Sequence, residues 1–218
     1  MDSTIEYFTG NIDEDNEIMT MILNEIDFLS GTVRRNMYKQ KRGTGGSMLF
    51  GLTWKKYLSK TQNRTQSKYK GLFQTKVMDE YPDLDIIFKQ YRDKYFPEFE
   101  YTQVQMNRNF LAPAHFDSDN TGMSVVCAFG DYSGGLLSVD FAGNIKSYDL
   151  LNNGYVQFDG SKYKHWVEPF KGERYSLVFF DNLKHRKLTP YVSEGDKWLE
   201  VGQKGINWCT HLANQKKL

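Results

Sequence analysis

Apolar residues recur at helical spacing in two stretches of the first half of the chain. In residues 13–29 these positions are Ile18, Met21, Ile22, Ile26 and Leu29. Acidic residues precede them, as is common at a helix N-terminus. A second helix is expected to begin near Pro82, with apolar positions at Leu84, Ile87, Phe88 and Tyr91. The pattern predicts two amphipathic helices that pack against a larger core.

After Glu98 the pattern changes to short alternating or apolar runs, which are typical of β-strands. Seven such runs occupy residues 102–110, 123–129, 135–141, 145–150, 155–158, 165–167 and 174–180. Glycine-containing turns at residues 142–144, 152–154 and 159–160 separate several of them. Seven short strands at this spacing predict a β-sandwich or jelly roll, so the expected fold class is mainly β with flanking helices.

The composition indicates a single folded domain. The chain has 218 residues, of which 39% are hydrophobic and 15% aromatic, enough for a sizeable core. We divide it into an N-terminal helical and basic region (1–97), a jelly-roll core (98–181) and a C-terminal extension (182–218). Cys127 and Cys209 lack C-x-x-C spacing and are predicted to be free thiols. With no visible signal peptide or long apolar run, we expect an intracellular protein, cytoplasmic or nuclear and not secreted, without a membrane partner.

His115 and Asp117 form an H-x-D pair ahead of the second run. Alternate side chains of an extended strand share a face, so both residues could bind one metal ion. His165, on a later strand, would add a second imidazole. Two imidazoles and one carboxylate form the facial triad of non-heme Fe(II) oxygenases, which leaves positions open for a chelating co-substrate and O2. A cupin-like zinc site could use the same ligands.

An arginine and a serine share one face of the last strand. Period-2 alternation puts Arg174 and Ser176 on the face opposite to Tyr175 and Leu177. A guanidinium binds a carboxylate bidentately, and the serine hydroxyl can donate a further hydrogen bond. The pair therefore suits a carboxylate ligand, such as the far end of 2-oxoglutarate, and a simple zinc site would not explain it.

Together these elements resemble the Fe(II)- and 2-oxoglutarate-dependent dioxygenases, whose core is a double-stranded β-helix, a cupin-like jelly roll. The resemblance covers residues 100–181 and rests on the order of H-x-D, Gly134-Gly135, the Asp159-Gly160 turn, a histidine and R-x-S. It implies that the enzyme uses Fe(II), 2-oxoglutarate and O2 to hydroxylate a C–H bond. It assigns the catalytic iron ligands to His115, Asp117 and His165, and the 2-oxoglutarate anchor to Arg174 and Ser176.

A polar stripe precedes the H-x-D pair. Gln103, Gln105, Asn107 and Asn109 fall on one face of a predicted strand. Asn107-x-Asn109 is similar to the N-x-Y of AlkB-type dioxygenases, with asparagine in place of tyrosine, which makes Asn107 and Asn109 candidate cofactor contacts. The alternative is a solvated face of an edge strand. If the stripe is buried, its amides need hydrogen-bond partners, which a co-substrate or substrate could supply.

Charge is segregated along the chain although the net charge is only +1. Residues 1–30 carry eight acidic and no basic side chains, whereas residues 31–76 carry twelve basic and no acidic ones. Aromatic residues alternate with these cations, a combination that suits the phosphates and bases of nucleic acid. The candidate substrate-contacting cations are Arg34, Arg35, Lys55, Lys56 and Lys60. The alternative is a solvated surface that balances the acidic helix.

The resemblance also suggests a substrate. Residues 109–137 are similar to TET/JBP-related proteins, which, like the AlkB group, oxidise methyl groups on nucleobases taken out of their stack. We therefore expect DNA or RNA as the partner and a nucleobase methyl group as the site of hydroxylation, with Asn120 as a further substrate contact. The short interval from His165 to Arg174 also fits prolyl-hydroxylase-like members, so a protein substrate is the alternative.

Overall fold

The computed structural model describes residues 5–28, 45–61 and 64–182. Four residues named above, Leu29, Arg34, Arg35 and Cys209, lie outside the described residues, as does the predicted C-terminal extension beyond Asn182. Within these ranges the helices are α1 (Ile12–Asn24), α2 (Lys76–Glu80), α3 (Leu84–Tyr95) and α4 (Leu150–Asn153). The strands are β1 (Gly46–Thr61), β2 (Arg64–Gln74), β3 (Gln103–Arg108), β4 (Ser124–Phe129), β5 (Tyr132–Gly134), β6 (Leu137–Phe141), β7 (Asn144–Tyr148), β8 (Tyr155–Phe158), β9 (Lys164–Val167), β10 (Phe170–Gly172) and β11 (Tyr175–Phe180).

Two antiparallel sheets build the jelly roll, and a third sheet pairs only β5 with β10. The large sheet has the order β2-β1-β3-β11-β4-β8, and the small sheet has the order β7-β6-β9. The segment around His115 extends the small sheet, because it bridges to His165 on β9. From β3 onward the chain alternates between the two sheets: β3, β4, β8 and β11 lie in the large one, while the His115 segment, β6, β7 and β9 lie in the small one. This alternation is a double-stranded β-helix, so the predicted jelly roll is confirmed.

Helices α1, α2 and α3 cover the outer face of the large sheet, because their buried apolar residues share one core cluster with Phe129 and Phe179. Helix α3 buries Leu84, Ile87, Phe88 and Tyr91, the four residues that periodicity predicts. The Phe88 ring packs edge-on against Phe50 at 5.3 Å and Phe179 at 5.9 Å between centroids. Burying one such side chain stabilises the fold by about 1.5–3 kcal/mol. None of the helices in the described ranges is long and apolar enough to cross a membrane.

Helix α1 differs from its prediction in length and in its buried face. It begins at a capping box, in which Asn11 accepts from the backbone of Asp13 and Glu14, and it ends at Asn24. Its buried apolar residues are Met19 and Leu23, whereas Met21 is 59% exposed. The predicted face was therefore wrong at Met21, since residues 19 and 23, four apart, set the side that meets the sheet.

The basic stretch predicted as part of a helical region is instead a β-hairpin over much of its length. Strand β1 pairs with β2 from Leu52↔Gln74 to Thr61↔Arg64, and its first part pairs with β3 from Gly46↔Arg108 to Gly51↔Gln103. As a result β3 lies between β1 and β11, inside the sheet. The polar stripe is thus not on an edge strand.

A further correction concerns the H-x-D pair, which was expected on a strand. Residues 111–117 form no regular strand, and an isolated bridge joins His115 to His165. The two backbones exchange hydrogen bonds of 3.0 Å in both directions, and the Asp117 N–H donates to the Gly160 carbonyl at 2.9 Å. These bonds keep the segment extended, so His115 and Asp117 still face the same side.

Candidate active site

The structure brings His115, Asp117 and His165 together at one place between the sheets. The His115 Nε2 lies 3.5 Å from Asp117 Oδ1, and the His165 Nε2 lies 3.5 Å from Asp117 Oδ2. One potential ligand atom from each residue lies within 4.8 Å of the others. Three donors at this spacing can share one cation.

Both imidazoles are oriented by backbone carbonyls. The His115 Nδ1 is 2.7 Å from the Pro113 carbonyl oxygen, and the His165 Nδ1 is 3.0 Å from that of Tyr163. Because a carbonyl only accepts, each Nδ1 donates a hydrogen to it, which turns each Nε2 towards the shared centre as the atom that would bind a metal. Burial alone would raise the pKa of Asp117, but the contacts with His115 and His165 outweigh it and hold the pKa well below its usual range. The carboxylate is therefore ionised and ready to bind a cation.

Two neighbours restrict the position of the Asp117 carboxylate. The Asn120 Nδ2 lies 3.3 Å from Asp117 Oδ2 and also 3.3 Å from the Ser124 hydroxyl. On the other side Gly160 leaves no room for a side chain, because an added Cβ would lie 2.9 Å from Asp117 Oδ2 and 3.3 Å from His165 Cε1. The structure thus places Asn120 beside a candidate metal ligand as well as in the pocket wall.

Replacing Gly160 with valine should weaken metal binding while leaving most of the fold intact. The branched side chain would push the Asp117 carboxylate away from the two imidazoles. We expect Mn(II) affinity, measured by titration calorimetry, to fall by about 10–100-fold, the range seen when groups supporting a metal ligand are lost. Gly160→Ala should give a smaller loss in the same direction. Equal metal affinity in the wild type and both variants would contradict this packing argument.

Arg174 lies at the other end of the same pocket, just before β11. Its side chain is 2% exposed, and its Nε has no hydrogen-bond partner. No acidic side chain in the described ranges forms an ion pair with it. Burial lowers the pKa of Arg174, and the nearby Tyr132 opposes that shift. An arginine remains charged even so, and a buried charge without a counter-ion is costly, which points to an anionic ligand.

The polar stripe of β3 forms the wall between these two ends. Gln105 and Asn107 are each 5% exposed and line the pocket. The Ser47 hydroxyl of β1 donates to Asn107 Oδ1 at 2.7 Å, and the Asn107 Nδ2 lies 3.3 Å from the Ser176 hydroxyl. Gln105 Nε2 in turn donates to Ser47 at 2.9 Å. Because Asn107 Oδ1 is already occupied, its amide is held with the N–H donors towards Ser176.

Asn109 has a different position from the one predicted. It is not among the pocket-lining residues, and its side-chain oxygen accepts from the Arg174 N–H at 2.8 Å. Its own N–H donates to the Arg174 carbonyl at 2.7 Å. Asn109 therefore fixes the backbone of Arg174 rather than facing a ligand.

The pocket is closed at the arginine and open at the metal site. The side chains of His115 and Asp117 are 30% and 25% exposed, in contrast to the buried Arg174. The lining residues are Gln105, Asn107, Phe110, Ala112, His115, Asp117, Asn120, Ser124, Val126, Leu137, Phe158, His165, Val167, Arg174, Ser176, Val178 and Phe180. Two imidazoles and a carboxylate suit Fe(II), and the uncompensated guanidinium suits a carboxylate at the far end, so these residues fit Fe(II) and 2-oxoglutarate.

The chain is similar in structure to several oxygenases. One is NgTET1 in complex with 5mC DNA, at 15% identity over 88% of this chain and 75% of that one, with a TM-score of 0.48. Another is a Pseudomonas putida prolyl-4-hydroxylase, at 15% identity over 81% and 89%, with a TM-score of 0.42. A third is a 2OG-Fe(II) oxygenase family protein from Burkholderia pseudomallei, at 17% identity over 81% and 92%, with a TM-score of 0.40. No protein-family model matches the sequence, and no curated protein matches it.

The remaining predicted site residues are the basic side chains expected to contact the substrate. Lys55, Lys56 and Lys60 lie on β1, in the part that pairs with β2. Sequence reasoning assigned no site role to five residues that help to build the site, namely Ser47, Tyr132, Gly135, Gly160 and Phe170. The GG pair and the Asp-Gly turn belong to the motif order, which marks Gly135 and Gly160, but periodicity contains no signal for the other three.

Proposed function

We propose that this protein is an Fe(II)- and 2-oxoglutarate-dependent oxygenase that hydroxylates a C–H bond. One observation carries the proposal: a single pocket has the His115, Asp117 and His165 donors at its open end and the buried, uncompensated Arg174 at its closed end. A metal site alone would not need the arginine, and an anion site alone would not need the triad.

In this proposal the bound iron supplies the oxidising chemistry, in which O2 converts 2-oxoglutarate to succinate and CO2 and adds one oxygen atom to the substrate C–H. The protein residues bind and orient the reactants. His115, Asp117 and His165 hold the metal, while Arg174 and Ser176 hold the far carboxylate of 2-oxoglutarate, with Asn107 as a further donor. Apolar side chains such as Val126 and Leu137 keep water from the bound co-substrate.

We further propose that the substrate is a nucleobase methyl group in DNA or RNA. The arrangement of the basic hairpin supports it. Strand β11 ends at Phe180 opposite Gln103, and Asn120 bridges to Asn182 just beyond that point. Strand β1 leaves β3 at the same end, opposite Gln103, and continues as the lysine-rich hairpin. The basic strands therefore emerge at the open end of the pocket, where an extruded base would enter.

The enzyme class and the substrate can be tested in one assay. Succinate formed from 2-oxoglutarate by the iron-loaded protein should be measured with methylated DNA, methylated RNA, a proline-rich peptide and no addition. We expect stimulation by nucleic acid and a hydroxymethyl product in mass spectrometry of the digested bases. Stimulation by peptide alone would favour the protein-hydroxylase alternative. The absence of succinate under every condition would overturn the enzyme class.

Neutralising the hairpin should weaken nucleic-acid binding. We expect the triple variant Lys55→Gln, Lys56→Gln and Lys60→Gln to bind DNA or RNA about tenfold or more weakly in fluorescence anisotropy and to show a shallower salt dependence, since each lost phosphate contact reduces the slope by about 0.7–0.9. Slow succinate release without substrate should be unchanged.

A matched control removes the same charge elsewhere. The triple variant Lys146→Gln, Lys164→Gln and Lys171→Gln changes exposed positions on β7, β9 and β10. It should keep near wild-type affinity and salt slope. If both triple variants lost the same amount of nucleic-acid affinity, only the net charge of the protein would matter, and the hairpin would not be the nucleic-acid surface.

A further inference from the structure

The two-stranded sheet of β5 and β10 packs around the guanidinium of Arg174. Strands β5 and β10 pair with each other, with Phe170 opposite Gly134 and Gly172 opposite Tyr132. The Arg174 Cζ lies 5.4 Å from the centroid of the Tyr132 ring and 5.8 Å from that of Phe170. The two rings meet edge to face, with centroids 6.4 Å apart. The guanidinium is thus flanked by aromatic rings from both strands.

The glycine that follows β5 completes this enclosure. An added Cβ on Gly135 would lie 3.1 Å from the Cδ and Nε of Arg174 and also 3.1 Å from the Cβ of Phe170. Its φ of +69° is a further reason for glycine at this position. The glycine backbone therefore packs against the side chain of Arg174, and any larger residue at this position would displace the arginine.

Aromatic rings hold a cation in a way that an acidic residue does not. The ring faces attract the charge without neutralising it, and the Tyr132 hydroxyl, which also interacts with the guanidinium, is a neutral partner that leaves other N–H donors available. A carboxylate from the protein would saturate those donors and compete with a ligand. The surroundings of Arg174 are therefore suited to fixing the guanidinium while keeping it ready for an external anion.

We propose that Tyr132 and Phe170 are positioning residues, which hold Arg174 at the closed end of the pocket and thereby set the preference for a 2-oxo dicarboxylate over a 2-oxo monocarboxylate. The inference rests on the proposed function, because it assigns the far carboxylate of the co-substrate to Arg174. Two ligands distinguish binding at Arg174 from binding at the metal. Both 2-oxoglutarate and pyruvate have the metal-chelating 2-oxo acid, but pyruvate has no second carboxylate.

The experiment measures equilibrium binding of both ligands to the full-length, Mn(II)-loaded protein by titration calorimetry, without O2. We expect Tyr132→Leu and Phe170→Leu each to weaken 2-oxoglutarate binding by about tenfold, the scale of a desolvated cation–aromatic contact. Pyruvate binding should stay within about twofold of wild type, since these rings do not touch the metal end. Tyr132→Phe, which keeps the ring, should retain most of the 2-oxoglutarate affinity.

A buried tyrosine elsewhere provides the matched control. Tyr101 is 9% exposed, close to the 8% of Tyr132, and packs on Phe179 at 5.0 Å between centroids on the helix-covered side of the large sheet. Tyr101→Leu should lower the melting temperature without changing the ratio of the two affinities. This ratio is the readout that a purely structural role of Tyr132 would not change.

Three results would count against the inference, and they are distinguishable. Leucine variants that lose both ligands equally would show that the rings only support the fold, and leucine variants that keep the dicarboxylate preference would show that the rings do not position Arg174. A wild-type protein with no preference for 2-oxoglutarate over pyruvate would overturn the proposed function itself, and with it this inference.

Discussion

Replacing His115 with alanine is expected to abolish 2-oxoglutarate turnover while the protein stays folded. The substitution removes one of three potential metal ligands, so Mn(II) or Fe(II) affinity should fall by more than about 100-fold, beyond the effect of losing a supporting group. Succinate formation should fall by at least about 10³-fold, because the oxidising chemistry depends on the bound metal. Metal titration and the succinate assay measure the two effects separately.

The fold should survive this change for a structural reason. The bonds that hold the segment to β9 run between the backbones of His115 and His165, at 3.0 Å in each direction, and alanine can make both. The imidazole itself is 30% exposed, so its removal leaves little buried cavity. We therefore expect an unchanged circular dichroism spectrum and a melting temperature within a few degrees of wild type.

The chain offers matched histidine controls. His185 and His211 lie outside the described residues, and neither has a paired carboxylate in a strand-like sequence context. His185→Ala and His211→Ala should both retain full turnover. Full turnover by His115→Ala would contradict the assignment of the metal site, and loss of metal binding in either control would move the site to a ligand set that includes that histidine.

The strands of the jelly roll could be predicted from sequence because their signal is local. The run predicted at residues 155–158 coincides with β8, and the one at 123–129 differs from β4 by one residue. Both segments end at turn residues, and β4, which is buried on both faces, is a continuous apolar run. The same holds for α3, where four apolar positions share one helical face.

The basic hairpin could not be predicted in the same way. Without it, the sequence could not decide whether the polar stripe of β3 is buried. Strand β1 depends on pairing with β3, which lies far along the chain, and its lysines break the alternation that marks a strand. Without β1 the sequence leaves β3 as a possible edge strand, so the polar stripe could be solvated or buried. Once β1 pairs with β3, β3 is an inner strand, and Gln105 and Asn107 are buried on its pocket-facing side.

The ligand types of the candidate site were visible in the sequence, but the groups that orient them were not. H-x-D and R-x-S are short motifs whose residues share a face by simple periodicity. Ser47 reaches Asn107 from a different part of the chain, and Tyr132 and Phe170 reach Arg174 from two short strands. Contacts of this kind depend on the complete topology, which no local pattern contains.

Replacing Arg174 with methionine is expected to have opposite effects on ligand binding and on stability. The loss of a buried, charged hydrogen-bonding partner should weaken 2-oxoglutarate binding by about 2–5 kcal/mol, or roughly 30-fold to several thousand-fold. The ligand-free protein should be as stable as wild type or more stable, since an uncompensated buried charge is replaced by an apolar chain of similar length. Titration calorimetry and urea unfolding measure the two quantities.

This combination separates a ligand-binding arginine from a structural one. If Arg174 held the fold together, its replacement would lower the free energy of unfolding and disturb pyruvate and 2-oxoglutarate binding alike. Arg108 provides the comparison, because it lies on the neighbouring strand opposite Tyr175 and forms an ion pair with Glu173. Arg108→Met should leave 2-oxoglutarate affinity within about twofold of wild type, as expected for a partly exposed ion pair.

Added 2-oxoglutarate should raise the melting temperature of wild type and Arg108→Met but not of Arg174→Met, because only proteins that bind the ligand are stabilised by it. If 2-oxoglutarate raised the melting temperature of Arg174→Met as much as that of wild type, Arg174 would not be part of the co-substrate site.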